Sequence, residues 1–153
     1  MNRVIEELRE YAKLCRPALT DDSDLPLTLC QGAALQYLCI GYGVNDFDIH
    51  YFYRQNPEKP KLARSGYKRV YTIGSFEKIR VDFFRTVIPE RVWRSAPEEP
   101  SELLASFLTN GPTPNAKHLA EEAVVGLYPD ALFAVTLWSP DRAKADAFRS
   151  HPL

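Results

Sequence analysis

The sequence has few cysteines and none of the patterns typical of cysteine-rich proteins. Three cysteines are spread over 153 residues, at Cys15, Cys30 and Cys39. They are odd in number, lie in apolar helix or strand contexts, and no pair has the spacing of zinc ligands. These features exclude a disulfide framework and a zinc–thiolate site, and they favour buried free thiols in a reducing cytoplasm.

Long apolar runs are also missing. No stretch approaches the ~20 apolar residues that a membrane-spanning helix needs. The N-terminal segment, MNRVIEELREYAKL, has the charge and apolar spacing of an amphipathic docking helix rather than of a signal peptide. We therefore expect a cytoplasmic protein with no membrane partner.

Several common catalytic motifs are missing as well. The sequence contains no P-loop, no dinucleotide-binding fingerprint, and no motif of the Ser/His/Asp or Cys/His type. It has no internal repeat and no low-complexity segment. Its length fits one domain that buries about two-thirds of the surface exposed by the unfolded chain. Any chemistry must therefore come from another set of residues.

The net charge of −1 conceals three regions of different sign. Residues 1–53 carry four basic and eight acidic residues, residues 54–94 carry eleven and four, and residues 95–153 carry four and eight. The balances are −4, +7 and −4. A basic middle region beside carboxylates fits a site that handles phosphate. The alternative is a pair of strands whose lysines and arginines protect a sheet edge.

The most informative stretch is residues 27–52, LTLCQGAALQYLCIGYGVNDFDIHYF. It predicts a short strand, a turn of small residues around Gly32, an apolar helix, a glycine-containing loop and a second strand. Because side chains alternate along a strand, Asp46, Asp48 and His50 share one face of that second strand. Two carboxylates on one face of an apolar strand repel each other and are costly to desolvate unless a cation lies between them.

A third acid, Asp82, lies in another strand-like run, IRVDFF. Residues 67–73 and 78–87 form a predicted hairpin, with Arg80 and Asp82 on the same face of its second strand. Three acids on strands of buried character predict a divalent-metal site. The alternative for Asp82 is a structural ion pair with Arg80.

This order of elements resembles the minimal nucleotidyltransferase fold of the DNA polymerase beta-like superfamily, and most of all its bacterial toxin–antitoxin and abortive-infection forms. In that family an apolar strand ends in Gly-Gly or Gly-Ser, a helix follows, Asp-x-Asp lies on the next strand, and a third acid lies on a later strand. Here QGAAL, from Gln31, stands at the glycine turn, DFD, from Asp46, at the acid pair, and Asp82 at the third acid. The resemblance covers roughly residues 25–88.

The resemblance implies an α+β fold in a single domain over residues 1–153, with a central mixed β-sheet of nucleotidyltransferase type flanked by helices. Residues 25–88 would form the core and residues 101–138 a C-terminal extension. The implied activity is transfer of an NMP group from an NTP, with ATP the expected one, to a hydroxyl acceptor.

The resemblance also assigns residues. Asp46, Asp48 and Asp82 would be the catalytic residues and the ligands of Mg²⁺ or Mn²⁺. The glycine turn, at Gly32 and Ala33, would bind the nucleotide, and from the charge of the basic middle region we expect Arg64, Lys68 and Arg80 to bind its phosphates as well. A protein partner or a second copy of the chain could supply the acceptor, and nucleic acid stays open as a partner.

Two other functions remain open beside the enzyme, which is the preferred one. The first is a catalytically inactive module of the same fold, such as an antitoxin, that binds a nucleotide or a protein. The lack of a serine or threonine at the glycine turn favours this module, and the three acids disfavour it. The second is an RNA-binding protein that uses the basic region with Tyr67, Tyr71 and Phe76, binds in a salt-dependent way and needs no metal.

The C-terminal part is predicted to be mainly helical. Ser101 is the expected cap of one helix, and Gly111 is expected to end it. Thr113 predicts the start of a second helix, with an inner stripe that continues to Leu127. The apolar run LFAVTLW, residues 132–138, predicts an added strand.

Overall fold

The computed structural model describes residues 2–19, 25–38, 44–58, 65–73 and 76–139. The helices are α1 (Asn2–Leu19), α2 (Gln31–Leu38), α3 (Glu90–Trp93), α4 (Pro100–Asn110) and α5 (Pro114–Ala120). The strands are β1 (Leu27–Cys30), β2 (Asp46–Arg54), β3 (Ser65–Ile73), β4 (Phe76–Ile88), β5 (Val124–Tyr128) and β6 (Thr136–Trp138), and a 3₁₀ turn spans Asp130–Leu132.

The strands form one mixed sheet in the order β3-β4-β2-β1-β5-β6. β2 and β4 are parallel, and every other neighbouring pair is antiparallel. The predicted hairpin of β3 and β4 is confirmed. With helices against the sheet, the architecture is the expected α+β fold around a mixed sheet.

One face of the sheet packs against α1 and α2. The apolar stripe of α1 is almost fully buried there, and Tyr51 Oη of β2 donates a hydrogen bond to the carbonyl oxygen of Ala12 over 2.5 Å. The alternate residues of β2 point to the same side, so Phe47 and Ile49 are also fully buried. The core on this face includes Val4, Ile5, Leu8, Ala12, Leu27, Leu29, Phe47, Ile49, Tyr51, Val81, Phe83 and Val125.

The opposite face of the sheet packs against α4 and α5. Phe52 of β2 meets Phe107 of α4 edge to face, with ring centroids 6.5 Å apart. The core on this face includes Leu25, Cys30, Phe52, Ile88, Leu103, Leu104, Phe107, Leu108, Ala116, Leu119 and Val124. Burial raises the pKa of the Cys30 thiol to about 12, which keeps it neutral and unreactive.

The ends of α4 and α5 follow local capping rules. Gly111 ends α4 with φ 55°, as predicted, since a left-handed residue is cheapest as glycine. The cap at the start of α4 is Glu99 rather than Ser101, because the Glu99 carboxylate accepts the amides of Ser101 and Glu102. Thr113 caps α5 as predicted, through Oγ1 and the amide of Ala116.

The prediction that the second of these helices continues to Leu127 is wrong. α5 ends at Ala120, and Leu127 lies in β5, which pairs with β1 inside the sheet. The spacing of Leu119, Ala123 and Leu127 mimics a helical stripe, but the VVGLY run gains a strand partner on each side. Of the run 132–138, only Thr136–Trp138 forms a strand.

The C-terminal strands are part of the main sheet. β5 and β6 extend the sheet beyond β1, so the C-terminal part belongs to the same layer as the acidic strands. None of the helices in the described ranges combines the length and the apolar composition that a membrane span requires.

Candidate metal centre

The three acids of the predicted site come together on the two parallel strands. In the register of β2 with β4, Asp46 lies opposite Arg80, and Asp48 lies opposite Asp82. Cross-strand neighbours on one face have their Cβ atoms about 5 Å apart, so the register alone places these four side chains together. Lys68 of β3 is in register with Asp82, and Cys30 of β1 with Asp48.

The carboxylates form a tight cluster. One oxygen from each of Asp46, Asp48 and Asp82 lies within 4.8 Å of the other two. The cluster is graded in depth, since the Asp82 side chain is 6% exposed and that of Asp46 is 28% exposed. Three carboxylate oxygens at this separation, open to solvent on one side, can hold a metal ion.

Arg80 bridges two of the acids. Its Nη2 donates to Asp46 Oδ2 over 2.8 Å, and its Nε lies 3.1 Å from Asp82 Oδ2. The hydrogen bond with Asp46, followed by the charge of Asp82, raises the pKa of Arg80 further above its ordinary value. About half of the Arg80 side chain, 53%, is exposed, so the guanidinium covers the outer side of the cluster. The predicted ion pair with Asp82 is therefore present together with the acid cluster.

Asp48 has the most unfavourable position of the three acids. Its pKa is raised from 3.8 to about 7, first by burial and then by the charges of Asp46 and Asp82, while the charge of Arg80 acts in the opposite direction. In the part of the chain that the structure describes, no basic side chain forms an ion pair with Asp48, since Arg80 reaches only the other two acids. A second cation at the cluster would remove this penalty.

Asp82 presents a buried acceptor atom that no described residue satisfies. Its Oδ2 faces Arg80, whereas its Oδ1 is buried and has no hydrogen-bond partner among the described residues. A buried carboxylate oxygen without a partner costs about 1–3 kcal/mol or more. Oxygen ligands of this kind are the ones that Mg²⁺ and Mn²⁺ prefer, so the residues present fit a hard divalent ion.

The buried side chains beside the cluster are held by ring stacking and hydrogen bonds. His50, next along this face of β2, is 1% exposed and stacks on Phe84 with ring centroids 4.9 Å apart. Its Nδ1 hydrogen-bonds Thr86 Oγ1 over 2.9 Å, and Asn115 Nδ2 of α5 donates to the same hydroxyl over 3.2 Å. These contacts fix the strand segments that carry Asp48 and Asp82.

The junction of β1 and α2 lies beside the acids. The sharp turn is made by Gln31, with φ 63°, rather than by Gly32, and the Gln31 amide donates to the carbonyl oxygen of Ala123. A Cβ added to Gly32 would meet nothing closer than Glu122 Oε2 at 3.9 Å. The glycine therefore leaves open space, and the side chain of Ala33 is buried in the core, so only its backbone can face a ligand.

Two features near the site were not predicted as parts of it. Glu122 lies near enough to add to the raised pKa of Asp48. Gln31 Nε2 lies 2.7 Å from His118 Nε2, and His118 Nδ1 lies 4.0 Å from Glu121 Oε2. Only the β1–α2 turn and the end of α5, which are distant in sequence, bring these residues together.

The predicted nucleotide-binding residues have different outcomes. Arg80 lies in the cluster, and Gly32 and Ala33 lie at the β1–α2 junction beside it. Lys68 is in register with Asp82 through its backbone, and its side chain lies outside the described part of the structure. Arg64 lies outside the described residues altogether.

Comparisons with known proteins add no further assignment. Neither the family models, nor the curated proteins, nor the solved structures that were searched contain a match to this chain.

Proposed function

We propose that this protein is a metal-dependent nucleotidyltransferase, which moves an NMP group from an NTP to a hydroxyl acceptor. The observation that carries the proposal is the cluster of Asp46, Asp48 and Asp82, whose carboxylate oxygens lie within 4.8 Å of one another on adjacent parallel strands. A cation would stabilise both Asp48, whose pKa is raised, and the buried Oδ1 of Asp82, which has no hydrogen-bond partner among the described residues.

The three carboxylates would hold Mg²⁺, or Mn²⁺, with oxygen ligands only. When bound, such an ion neutralises charge on the phosphates and activates the attacking hydroxyl. The protein's own residues position the two reactants. Asp82, the most buried acid, would fix the inner side of the site, and Asp46, with a side chain that is 28% exposed, would face the side from which substrate arrives.

The surroundings of the cluster supply groups suited to phosphate. Arg80 covers its solvent side, and a guanidinium can donate two parallel hydrogen bonds to a phosphoryl group. Gly32 leaves open space at the start of α2, where backbone amides without helical partners can face an anion. Lys68 is in register with Asp82 on the neighbouring strand, and Arg64 precedes that strand in the basic region.

The order of elements also supports a nucleotidyltransferase type of sheet. Strand β1, a turn with glycine, helix α2 and the Asp-x-Asp strand β2 follow one another in the chain. The third acid lies on β4, the immediate neighbour of β2. The resemblance rests on this order of secondary-structure elements, which brings the three acids into one site.

Calorimetric titration with a non-hydrolysable ATP analogue tests the proposal. The wild type is expected to bind the analogue only with Mg²⁺ or Mn²⁺, and Asp46→Asn/Asp48→Asn is expected to lose that binding. Asp130→Asn is the matched control, because it makes the same acid-to-amide change at an exposed position outside the cluster. Binding that ignores metal, or that survives in the double variant, would contradict the proposal.

A second function, an inactive module of the same fold, is favoured by Arg80. The guanidinium already pairs with both Asp46 and Asp82 without a metal and offsets part of their negative charge, and the turn offers glutamine and alanine around Gly32 instead of a hydroxyl. In the form that binds a protein rather than a nucleotide, this module would bind neither metal nor nucleotide at the acids. If the same titration is extended to non-hydrolysable analogues of the four NTPs, no binding with metal present would favour this protein-binding form over the enzyme.

A further inference from the structure

We propose that Arg80 makes the site selective for a divalent ion that arrives together with a polyphosphate, and that the free ion binds poorly by comparison. The inference rests on the proposed function, since it concerns the same acids, and it adds the form in which the metal and the phosphate are recognised. It follows from the carboxylate oxygens that Arg80 contacts and from the solvent toward which its side chain can turn.

Arg80 uses the oxygen atoms that a metal would need. Its two contacts go to Asp46 Oδ2 and Asp82 Oδ2, at 2.8 and 3.1 Å. These two acids, with Asp48, are the three that can ligate an ion together. A metal ion and the guanidinium therefore compete for the same carboxylates, and a free ion must displace charge-assisted hydrogen bonds in order to enter.

Displacement is possible without repacking the protein. The Arg80 side chain is 53% exposed and lies on the outer side of the cluster, above a floor in which Asp82 is 6% exposed. Asp48, in contrast, has no ion pair with Arg80 and no other basic partner among the described residues, so it offers the first open ligand to an incoming ion. The ion would enter below the guanidinium, which then turns toward solvent.

A polyphosphate bound to the ion changes this balance. Its oxygens lie on the open side of the cluster, where the displaced guanidinium can donate to them with the planar, paired geometry that suits phosphate. Arg80 then exchanges carboxylate partners for phosphate partners. The ion and the phosphate help each other to bind, and the coupling must be reciprocal because it is a free energy shared by the two ligands.

Mn²⁺ and tripolyphosphate are suitable probes, because tripolyphosphate has no base or sugar. Calorimetry would give the dissociation constants of Mn²⁺ alone and of the preformed Mn²⁺–tripolyphosphate complex. In the wild type, the complex is expected to bind about tenfold tighter than the free ion, which is a typical size for such coupling. In Arg80→Gln the free ion is expected to bind several-fold tighter than in wild type, and the complex more weakly.

Arg85→Gln is the matched control for this experiment. It removes the same charge from the same strand, but the Cα of Arg85 pairs with Tyr51 rather than with an acid. A general loss of positive charge would shift the free ion and the complex similarly in both variants. Opposite shifts in Arg80→Gln, with Arg85→Gln close to wild type, would support the exchange of partners. Circular dichroism would show that both variants are folded.

The outcomes separate this inference from the function beneath it. If Mn²⁺ and its complex bind in a way that needs Asp46 and Asp48, but Arg80→Gln leaves their ratio unchanged, the role of Arg80 is overturned and the metal site stands. If Arg80→Gln weakens the free ion instead of strengthening it, Arg80 does not compete with metal. If neither probe binds, or if Asp46→Asn/Asp48→Asn does not affect binding, the proposed function is overturned as well.

Discussion

Asp48 should destabilise the metal-free protein at neutral pH, and Asp48→Asn should relieve that penalty. Burial and two neighbouring carboxylates raise its pKa from 3.8 to about 7. Each unit corresponds to about 1.4 kcal/mol, so a shift of roughly three units sets an upper limit of about 4 kcal/mol. Because the side chain is partly open to solvent, screening reduces the expected value to about 2 kcal/mol.

The sign of the pH dependence follows from linkage. Between about pH 4 and pH 7 the folded protein keeps a proton on Asp48 that the unfolded chain has released. The free energy of unfolding therefore falls as the pH rises through this window. Asp48→Asn lacks the titrating group, so the variant and the wild type should be similar in stability near pH 4. The variant should become about 2 kcal/mol more stable above pH 7.

Urea unfolding in EDTA from pH 4 to pH 8.5 measures this difference. A gain of ~2 kcal/mol raises the urea midpoint by about 1 M, for a typical dependence on denaturant of about 2 kcal/mol per molar. Glu6→Gln, an acid-to-amide change at an exposed position of α1, should show little difference at any pH. The account of Asp48 is contradicted if Asp48→Asn is no more stable than the wild type at pH 8. It is also contradicted if the gain in the free energy of unfolding does not change with pH.

Four further predictions concern single positions. Gly126→Ala should prevent stable folding, because the new Cβ would lie 2.1 Å from a backbone oxygen, and soluble monomer with native circular dichroism would contradict this. Thr113→Ala should lower the free energy of unfolding by about 1 kcal/mol through loss of the α5 cap, and an unchanged urea midpoint would show that the cap does not stabilise the protein. Gly32→Ala should raise thermal stability by about 0.5 kcal/mol, since alanine favours the helix and its Cβ meets only a side chain at 3.9 Å. A lower melting temperature would show that the turn has no room for a Cβ at this position. Mn²⁺ should bind more tightly at pH 8 than at pH 6, because Asp48 must lose its proton to ligate, and equal affinities measured by calorimetry would exclude Asp48 as a ligand.

The acidic site was predictable because it depends on short-range rules. Strand alternation places Asp46 and Asp48 on one face, and the same rule places Arg80 and Asp82 together on β4. What the sequence could not decide was whether the two strands are neighbours, since β2 and β4 are separated in the chain by the whole of β3. Their parallel pairing turns two local patterns into one cluster.

The errors arise where a tertiary contact overrides a local pattern. Leu119, Ala123 and Leu127 recur at four-residue spacing, yet β1 recruits the last of them into a strand. Ser101 is a common capping residue, but the preceding Glu99 carboxylate reaches two amides at once and takes the role. In both cases the side chains are compatible with two local structures, and either long-range strand pairing or competing hydrogen bonds select one of them.

The contacts of Gln31, His118 and Glu122 beside the acid cluster could not have been predicted from the sequence. Gln31 and His118 are 87 residues apart and meet only because the end of α5 lies against the β1–α2 turn. Glu122 follows a short helix and has no motif around it. These residues become visible through their distances and through the effect of Glu122 on the pKa of Asp48.

Anomalous diffraction from a crystal soaked in Mn²⁺ and a non-hydrolysable ATP analogue tests the central claim most directly. We predict one strong anomalous peak from a manganese ion that oxygen atoms of Asp46, Asp48 and Asp82 bind directly. The Arg80 side chain is expected to contact a phosphate of the analogue instead of the acids. A crystal that holds the analogue elsewhere, or none, with no manganese at the cluster and Arg80 still joining Asp46 to Asp82, would contradict the account. The acid cluster would then be a structural ion-pair network.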